Sequence, residues 1–121
     1  MTAYPQYPLT LTLVRTAPHE LSIVLEGDLD YASAGEFADT ATAALSEHEG
    51  LRDLRIDCAE LGLCDSSGLS ALLVLRRRAA EKGVRIRLDR RGPALDRLLS
   101  ISGTLPYLTG DPEAATGPAT G

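Results

Sequence analysis

The chain has 121 residues, 44% of them apolar, and carries 12 basic and 17 acidic side chains for a net charge of −5. That length suits one domain with one core, the acidic balance argues against general nucleic-acid binding, and no apolar run reaches the roughly 18 residues of a membrane span. The N-terminus, Met1-Thr2-Ala3-Tyr4-Pro5, lacks the basic-then-apolar layout of a secretion signal, so a cytoplasmic protein with no membrane attachment is expected.

Residues 1–8, with two prolines and two tyrosines, read as a flexible lead. Leu9 to Leu13 alternates strictly between leucine and threonine and predicts a strand. After a turn at Thr16–Glu20, Leu21 to Glu26 alternates again, and the two strands predict an antiparallel hairpin. Gly27-Asp28-Leu29-Asp30 ends the second strand, and Ser33 with Glu36 forms a possible capping box for a helix that Gly50 stops. Its apolar face is Phe37, Ala41, Ala44 and Leu45.

Leu54 to Cys58 predicts a third strand, Ser67 to Lys82 a second helix stopped by Gly83, and Val84 to Leu88 a fourth strand. Pro93 to Ser100 predicts a third helix with proline in its first turn and Leu95, Leu98 and Leu99 apolar. Residues 109–121 are rich in Gly, Pro, Ala and Thr and predict a mostly disordered tail.

Alternation decides the architecture. Leu54, Ile56 and Cys58 oppose Arg55 and Asp57, while Val84, Ile86 and Leu88 oppose Arg85 and Arg87. A sheet covered on both faces has nearly continuous apolar strands, which these are not. The expected fold is therefore α/β, in the order ββαβαβα, with a mixed sheet, helices on one face and the other face exposed. Charge is uneven along this order, because residues 1–70 hold 3 basic and 12 acidic side chains and residues 71–121 hold 9 and 5. A solvated surface explains that division more simply than a phosphate-binding patch.

At 100° per residue, Leu69, Leu72, Leu73, Leu75, Ala79 and Ala80 gather on the core arc of the second helix, together with Arg76, whose long stem can reach solvent. The outer side carries Ser66, Ser67, Ser70, Val74, Arg77 and Arg78, and Val74 is apolar where solvent is expected, on the same face as Ser66 and Ser70.

Asp65-Ser66-Ser67-Gly68-Leu69 lies where the third strand gives way to that helix. A helix start offers unpaired N–H groups and the positive end of a dipole, so Ser66 and Ser67 are candidates both for capping and for carrying a phosphate. A catalytic role is not expected. The elbow pattern G-x-S-x-G is absent at these serines. The two histidines, His19 in a turn and His48 at a helix end, read as surface residues. No Walker loop or dinucleotide fingerprint occurs, so no cofactor is expected. Cys58 and Cys64 form neither a CxxC pair nor a His–Cys cluster, so no metal is expected. In a reducing cytosol they read as free, partly buried thiols, with a disulfide or redox role as the alternative.

Asp65-Ser66-Ser67-Gly68-Leu69, with Gly27-Asp28-Leu29-Asp30 after the second strand, resembles the anti-sigma factor antagonists of the bacterial STAS family, over residues 9–108. The resemblance implies that the unphosphorylated chain binds an anti-sigma factor, a serine kinase, and so frees a sigma factor. The kinase would phosphorylate Ser66 and a serine phosphatase would reverse it. Asp28, Asp30, Asp65, Ser66, Ser67, Gly68, Ser70 and Val74 would form the partner surface, on a monomer or weak dimer. The same family includes scaffold subunits of stress-sensing assemblies and accessory subunits of lipid-transport complexes, which is the alternative role. Members often end in a long amphipathic helix, whereas Gly110-Asp111-Pro112-Glu113 allows at most a short turn here.

Overall fold

Seven elements follow the predicted order: β1 (Thr10–Ala17), β2 (Glu20–Leu29), α1 (Ala34–Glu47), β3 (Asp53–Cys64), α2 (Ser66–Glu81), β4 (Arg85–Asp89) and α3 (Pro93–Ser102). The structure is a computed structural model that describes residues 7–103. Residues 1–6 of the expected lead, the end of the expected domain at 104–108 and the expected tail at 109–121 lie outside the described residues.

The sheet runs β1-β2-β3-β4. β1 and β2 are antiparallel, whereas β2, β3 and β4 are mutually parallel. Parallel neighbours end on the same side of a sheet, so the turns leaving β2 and β3 meet at one edge, and the motif serines lie there.

One face of the sheet is dry. Leu21, Ile23 and Leu25 of β2, Leu54, Ile56 and Cys58 of β3, and Ile86 and Leu88 of β4 are buried in one cluster. The helices contribute Phe37, Ala41, Ala44 and Leu45 from α1, Leu72, Leu75 and Ala79 from α2, and Leu95 and Leu99 from α3. With a single phenylalanine and no tryptophan in the chain, the core is aliphatic, and Phe37, fully buried, is its largest side chain.

The other face is polar and laced by diagonal ion pairs. Arg55 faces Arg87 across the β3–β4 ladder and Asp57 faces Asp89. Like charges placed opposite one another are unfavourable, and the diagonals relieve them. Arg55 reaches Asp89 at 2.9 Å and Glu20 at 3.0 Å, Arg87 reaches Asp53 at 3.3 Å, and Arg90 pairs with Asp57. Opposite charges from β3 and β4 thus meet on one surface.

Two expectations are corrected in detail. On α2 the buried row is Gly68, Ala71, Leu72, Leu75 and Ala79, while Ala80 is exposed. Leu69, Leu73, Arg76 and Ala80 form the adjacent row at the helix margin, and for that reason Arg76 is half-buried rather than inside. The second correction concerns β3, which runs six residues beyond Cys58 to Cys64. Two bulges explain the missing signal. Val24 and Glu26 pair with Asp57 and Glu60, and Gly27 and Leu29 pair with Leu61 and Cys64, so β3 carries an extra residue each time. Each bulge shifts the alternation by one.

Candidate functional site

β2 continues through Gly27 to Leu29, and β3 continues beside it to Cys64. Both strands therefore deliver a carboxylate to the same edge. Gly27 takes φ +107°, and a Cβ there would lie 2.8 Å from the Tyr7 carbonyl oxygen and closer still to that of Pro8. The incoming chain thus lies across Gly27, and the Asp28 N–H donates to the Tyr7 carbonyl at 2.9 Å.

Three aspartates organise the edge. Asp28 Oδ1 accepts from the Leu63 N–H at 2.8 Å, tying the end of β2 to β3. Asp30 Oδ1 accepts from the N–H groups of Ala32 and Ser33 at 3.0 and 3.2 Å and closes the turn into α1. Asp65 Oδ1 accepts from the Gly68 N–H at 2.9 Å, and its Oδ2 from the Tyr31 N–H at 3.1 Å. All three are half-buried, and each satisfies backbone donors that would otherwise be left unpaired.

The helix caps differ from those predicted. Ser33 makes no side-chain cap bond at the start of α1. Its Oγ instead donates to the Asp28 carbonyl at 2.8 Å and accepts from the Asp30 N–H at 3.0 Å, so the capping box with Glu36 does not form. At α2 the cap is Asp65, in extended conformation, and neither serine serves. This frees both hydroxyls. Ser66 is exposed and opens the helix, while Ser67 is half-buried.

Gly68 has a different role from the one expected. It is buried, and a Cβ there would lie 2.9 Å from Leu29 Cγ, 3.0 Å from Cys64 Sγ and closer still to the Leu29 carbonyl oxygen. It lets the first turn of α2 sit against the ends of β2 and β3 and offers no surface to a partner. Further along the helix Ser70 is exposed. Val74 is half-buried and lines a depression of about 270 Å³ with Arg77, Arg78 and Glu81. Ser66, Ser70 and Val74 therefore share one outer stripe, as their spacing predicts.

Two residues at this edge were not singled out from the sequence. Tyr31 is 85% exposed and Leu63 57% exposed. The backbone of each is tied across the two strand ends, Tyr31 to Asp65 and Leu63 to Asp28, so both are linked to the start of α2, Leu63 along the chain and Tyr31 by its hydrogen bond. An aromatic directly after Gly27-Asp28-Leu29-Asp30 was the available signal for Tyr31. The bulges masked Leu63. A cleft of about 190 Å³ lies between the end of β2 and the start of α1, with Tyr7, Asp28, Asp30 and Glu36 in its walls.

The histidines lie at the other end of the sheet. His19 Nδ1 bonds the Gly50 carbonyl at 3.0 Å, and the Arg52 N–H donates to the His19 carbonyl just before β3 starts. His48 Nδ1 bonds the Ala44 carbonyl at 2.9 Å. The length of β3, about 35 Å, separates that end from Ser66, so no imidazole can act as a base for its hydroxyl. Burial pushes the Cys58 thiol up to about 12 and the Cys64 thiol up to about 11. Both cysteines are free. Among the described residues no group of three or more His, Cys, Asp or Glu could hold a metal ion, and no helix is long and apolar enough to cross a membrane.

Residues 12–104 match the family described as Mlab, STAS domain. The chain belongs to the STAS-domain family. Three STAS-like solved structures resemble it in fold. The anti-sigma factor antagonist SpoIIAA in its unphosphorylated form superposes with a TM-score of 0.70 at 20% identity, over 81% of this chain and 84% of that one. An anti-sigma factor antagonist from Mycobacterium paratuberculosis gives 0.68 at 20% identity, over 90% and 92%. A sulfate transporter family protein from Wolinella succinogenes gives 0.65 at 17% identity, over 81% and 77%. At these identities the likeness is one of fold, and it bears out the predicted mixed sheet with three helices.

Proposed function

We propose that this STAS domain is an anti-sigma factor antagonist, a binding protein and not an enzyme. Unphosphorylated, it docks on an anti-sigma serine kinase and frees a sigma factor. Phosphorylation of Ser66 switches it off, and a serine phosphatase restores it. The observation that carries this reading is the exposed Ser66 hydroxyl at the first position of α2, relieved of capping by Asp65. Exposed Tyr31 and Leu63, whose backbones are tied to Asp65 and Asp28, supply apolar area for a partner, with Asp28, Asp30, Ser67, Ser70 and Val74 as the rest of the proposed surface.

The energetics suit a switch that spares the fold. A phosphate adds about −1.5 to −2 charge at neutral pH. On Ser66 it would lie at the positive end of α2, a favourable term of about 0.3–1 kcal/mol, against repulsion from Asp65. A docked partner would instead have to desolvate a dianion, at a cost of several kcal/mol, when about 1.4 kcal/mol is already tenfold in affinity.

The test is capture of partners on wild-type protein, Ser66→Ala and Ser66→Asp. The expected result is an ATP-dependent serine kinase retained by wild type and Ser66→Ala and lost by Ser66→Asp. Equal capture by all three would sink the switch. The family description and the sulfate-transporter fold match favour one second reading, an accessory or scaffold subunit of a larger complex. Co-purification with a membrane transporter, insensitive to Ser66→Asp, would support that reading instead.

A further inference from the structure

The arginines of the polar sheet face and of the loop after β4 are neutralised within the domain. Arg55, Arg85, Arg87, Arg90 and Arg91 each lie against a carboxylate of Asp89, Asp53, Asp57 or Asp96. Arg77 and Arg78, adjacent on α2, are both exposed, and neither forms an ion pair among the described residues. A chain of net charge −5 thus holds two uncompensated guanidinium groups at one place. Val74 stands three residues before Arg77 and four before Arg78, so all three share a helix face. With Glu81 they line the depression of about 270 Å³. Glu81 can offset at most one of the two charges, so the depression stays positive around a half-buried valine. Toward the start of α2 the same stripe passes through exposed Ser70 to Ser66, and from Ser66 to Arg78 it covers about 18 Å of helix.

We infer that this depression docks an acidic segment of the partner, with an aliphatic side chain seated on Val74 and flanking Asp or Glu carboxylates held by Arg77 and Arg78. The inference rests on the antagonist reading for which protein carries the segment, and it adds the segment's chemistry. Charge complementarity selects the occupant. An arginine fork binds a carboxylate through two parallel hydrogen bonds, and a positive patch on a negative protein draws an acidic segment to one place and repels a basic one. Attraction at the Arg77 and Arg78 end and the switch at Ser66 then act on opposite ends of one helix face. A contact between exposed charges weakens as salt screens it, over a distance of about 10 Å at 0.1 M.

Titration calorimetry on the full chain, with the protein captured by wild type in the Ser66 experiment, tests this. Arg77→Glu combined with Arg78→Glu should lower affinity at least tenfold, and Arg77→Lys combined with Arg78→Lys should fall between. Wild-type affinity should drop at least tenfold from about 50 to about 500 mM salt. Arg52→Glu combined with Arg97→Glu changes net charge by the same amount at exposed positions off α2 and should leave affinity within about twofold. Equal binding by wild type and the Arg77, Arg78 reversal would overturn the inference. So would affinity indifferent to salt, an equal loss in the Arg52, Arg97 control, or a wild type that captures nothing. Salt-sensitive self-association abolished by the reversal would assign the arginines to a second copy and overturn it too. The two readings fail separately. Capture of a kinase lost with Ser66→Asp but kept with the reversal leaves the switch and removes the acidic site. Capture of a protein that is not a kinase, kept with Ser66→Asp but lost with the reversal, leaves the acidic site and removes the switch.

Discussion

The Tyr31 N–H donates to Asp65 Oδ2 at 3.1 Å, and this bond joins the turn after β2 to the start of α2. A second bond runs the other way, from the Leu63 N–H to Asp28 Oδ1 at 2.8 Å. Each strand end thus supplies a carboxylate to the backbone of the other, and the backbones that carry the exposed Tyr31 and Leu63 side chains are anchored by the same two bonds. Asp65 also caps α2, so it carries two functions on two oxygens. Asp65→Ala should cost about 1–2 kcal/mol, at the upper end for a lost cap, because the Tyr31 donor is orphaned as well. Asp65→Asn keeps one acceptor for Gly68 and should fall between. Urea midpoints of the three proteins give the order.

Gly68→Ala should destabilise by about 1–3 kcal/mol, the usual cost of overpacking. The added methyl would meet backbone at Leu29 and the Cys64 sulfur, and neither yields easily. Gly35→Ala is the internal control. It lies exposed on α1 with nothing within 4 Å of its added Cβ, and it should stabilise by about 0.5–1 kcal/mol through helix propensity. Thermal melts of the two variants should therefore move in opposite directions.

Element order, the one-sided core and the α1 face of Phe37, Ala41, Ala44 and Leu45 were legible because period two and period three-and-a-half dominate those segments. The far half of β3 was not legible, since two bulges break its alternation and β2, not local sequence, holds it in place. Ser66 could be singled out from the motif, but its cap could not. Aspartate and serine are comparable caps, and the choice of Asp65 depends on a Tyr31 donor 34 residues away. Tyr31 and Leu63 went unnoticed for the same reason. Their anchoring comes from bonds that span 34 and 35 positions of the chain, which the local aromatic after Gly27-Asp28-Leu29-Asp30 does not by itself record.

Acid should weaken the polar face of the sheet. The Arg90 guanidinium bonded to Asp57 holds that carboxyl below its ordinary value of 3.8. A depressed folded-state value means the contribution is present above the ordinary value and is lost as pH falls through the lower one. Asp57→Asn should therefore be less stable than wild type at neutral pH, and the difference should shrink below pH 3.8. Chemical denaturation across that range measures it.

At alkaline pH the sign reverses. Burial raises the Cys58 thiol from 9.0 to about 12, so its contribution is complete below 9.0 and is lost as pH climbs toward the folded value. Cys58→Ala should flatten that alkaline loss. Burial both shields the Cys58 thiol and lowers its thiolate fraction, so alkylating reagents should label Cys58 far more slowly than the partly exposed Cys64 until denaturant is added.

Tyr31→Ser and Leu63→Ser separate docking from folding. Both side chains are mostly in solvent, and the bonds that hold these residues use backbone N–H groups, so each variant should stay within about 0.5 kcal/mol of wild type. In the antagonist reading each removes apolar contact beside Ser66, and the pair should lower affinity for the captured kinase at least tenfold. Because neither residue touches the Ser66 hydroxyl by a hydrogen bond, slow phosphorylation of the double variant should follow from weak capture, and saturating kinase should restore the rate. A double variant that binds like wild type would move the docking surface away from this edge, toward the outer stripe of Ser70 and Val74.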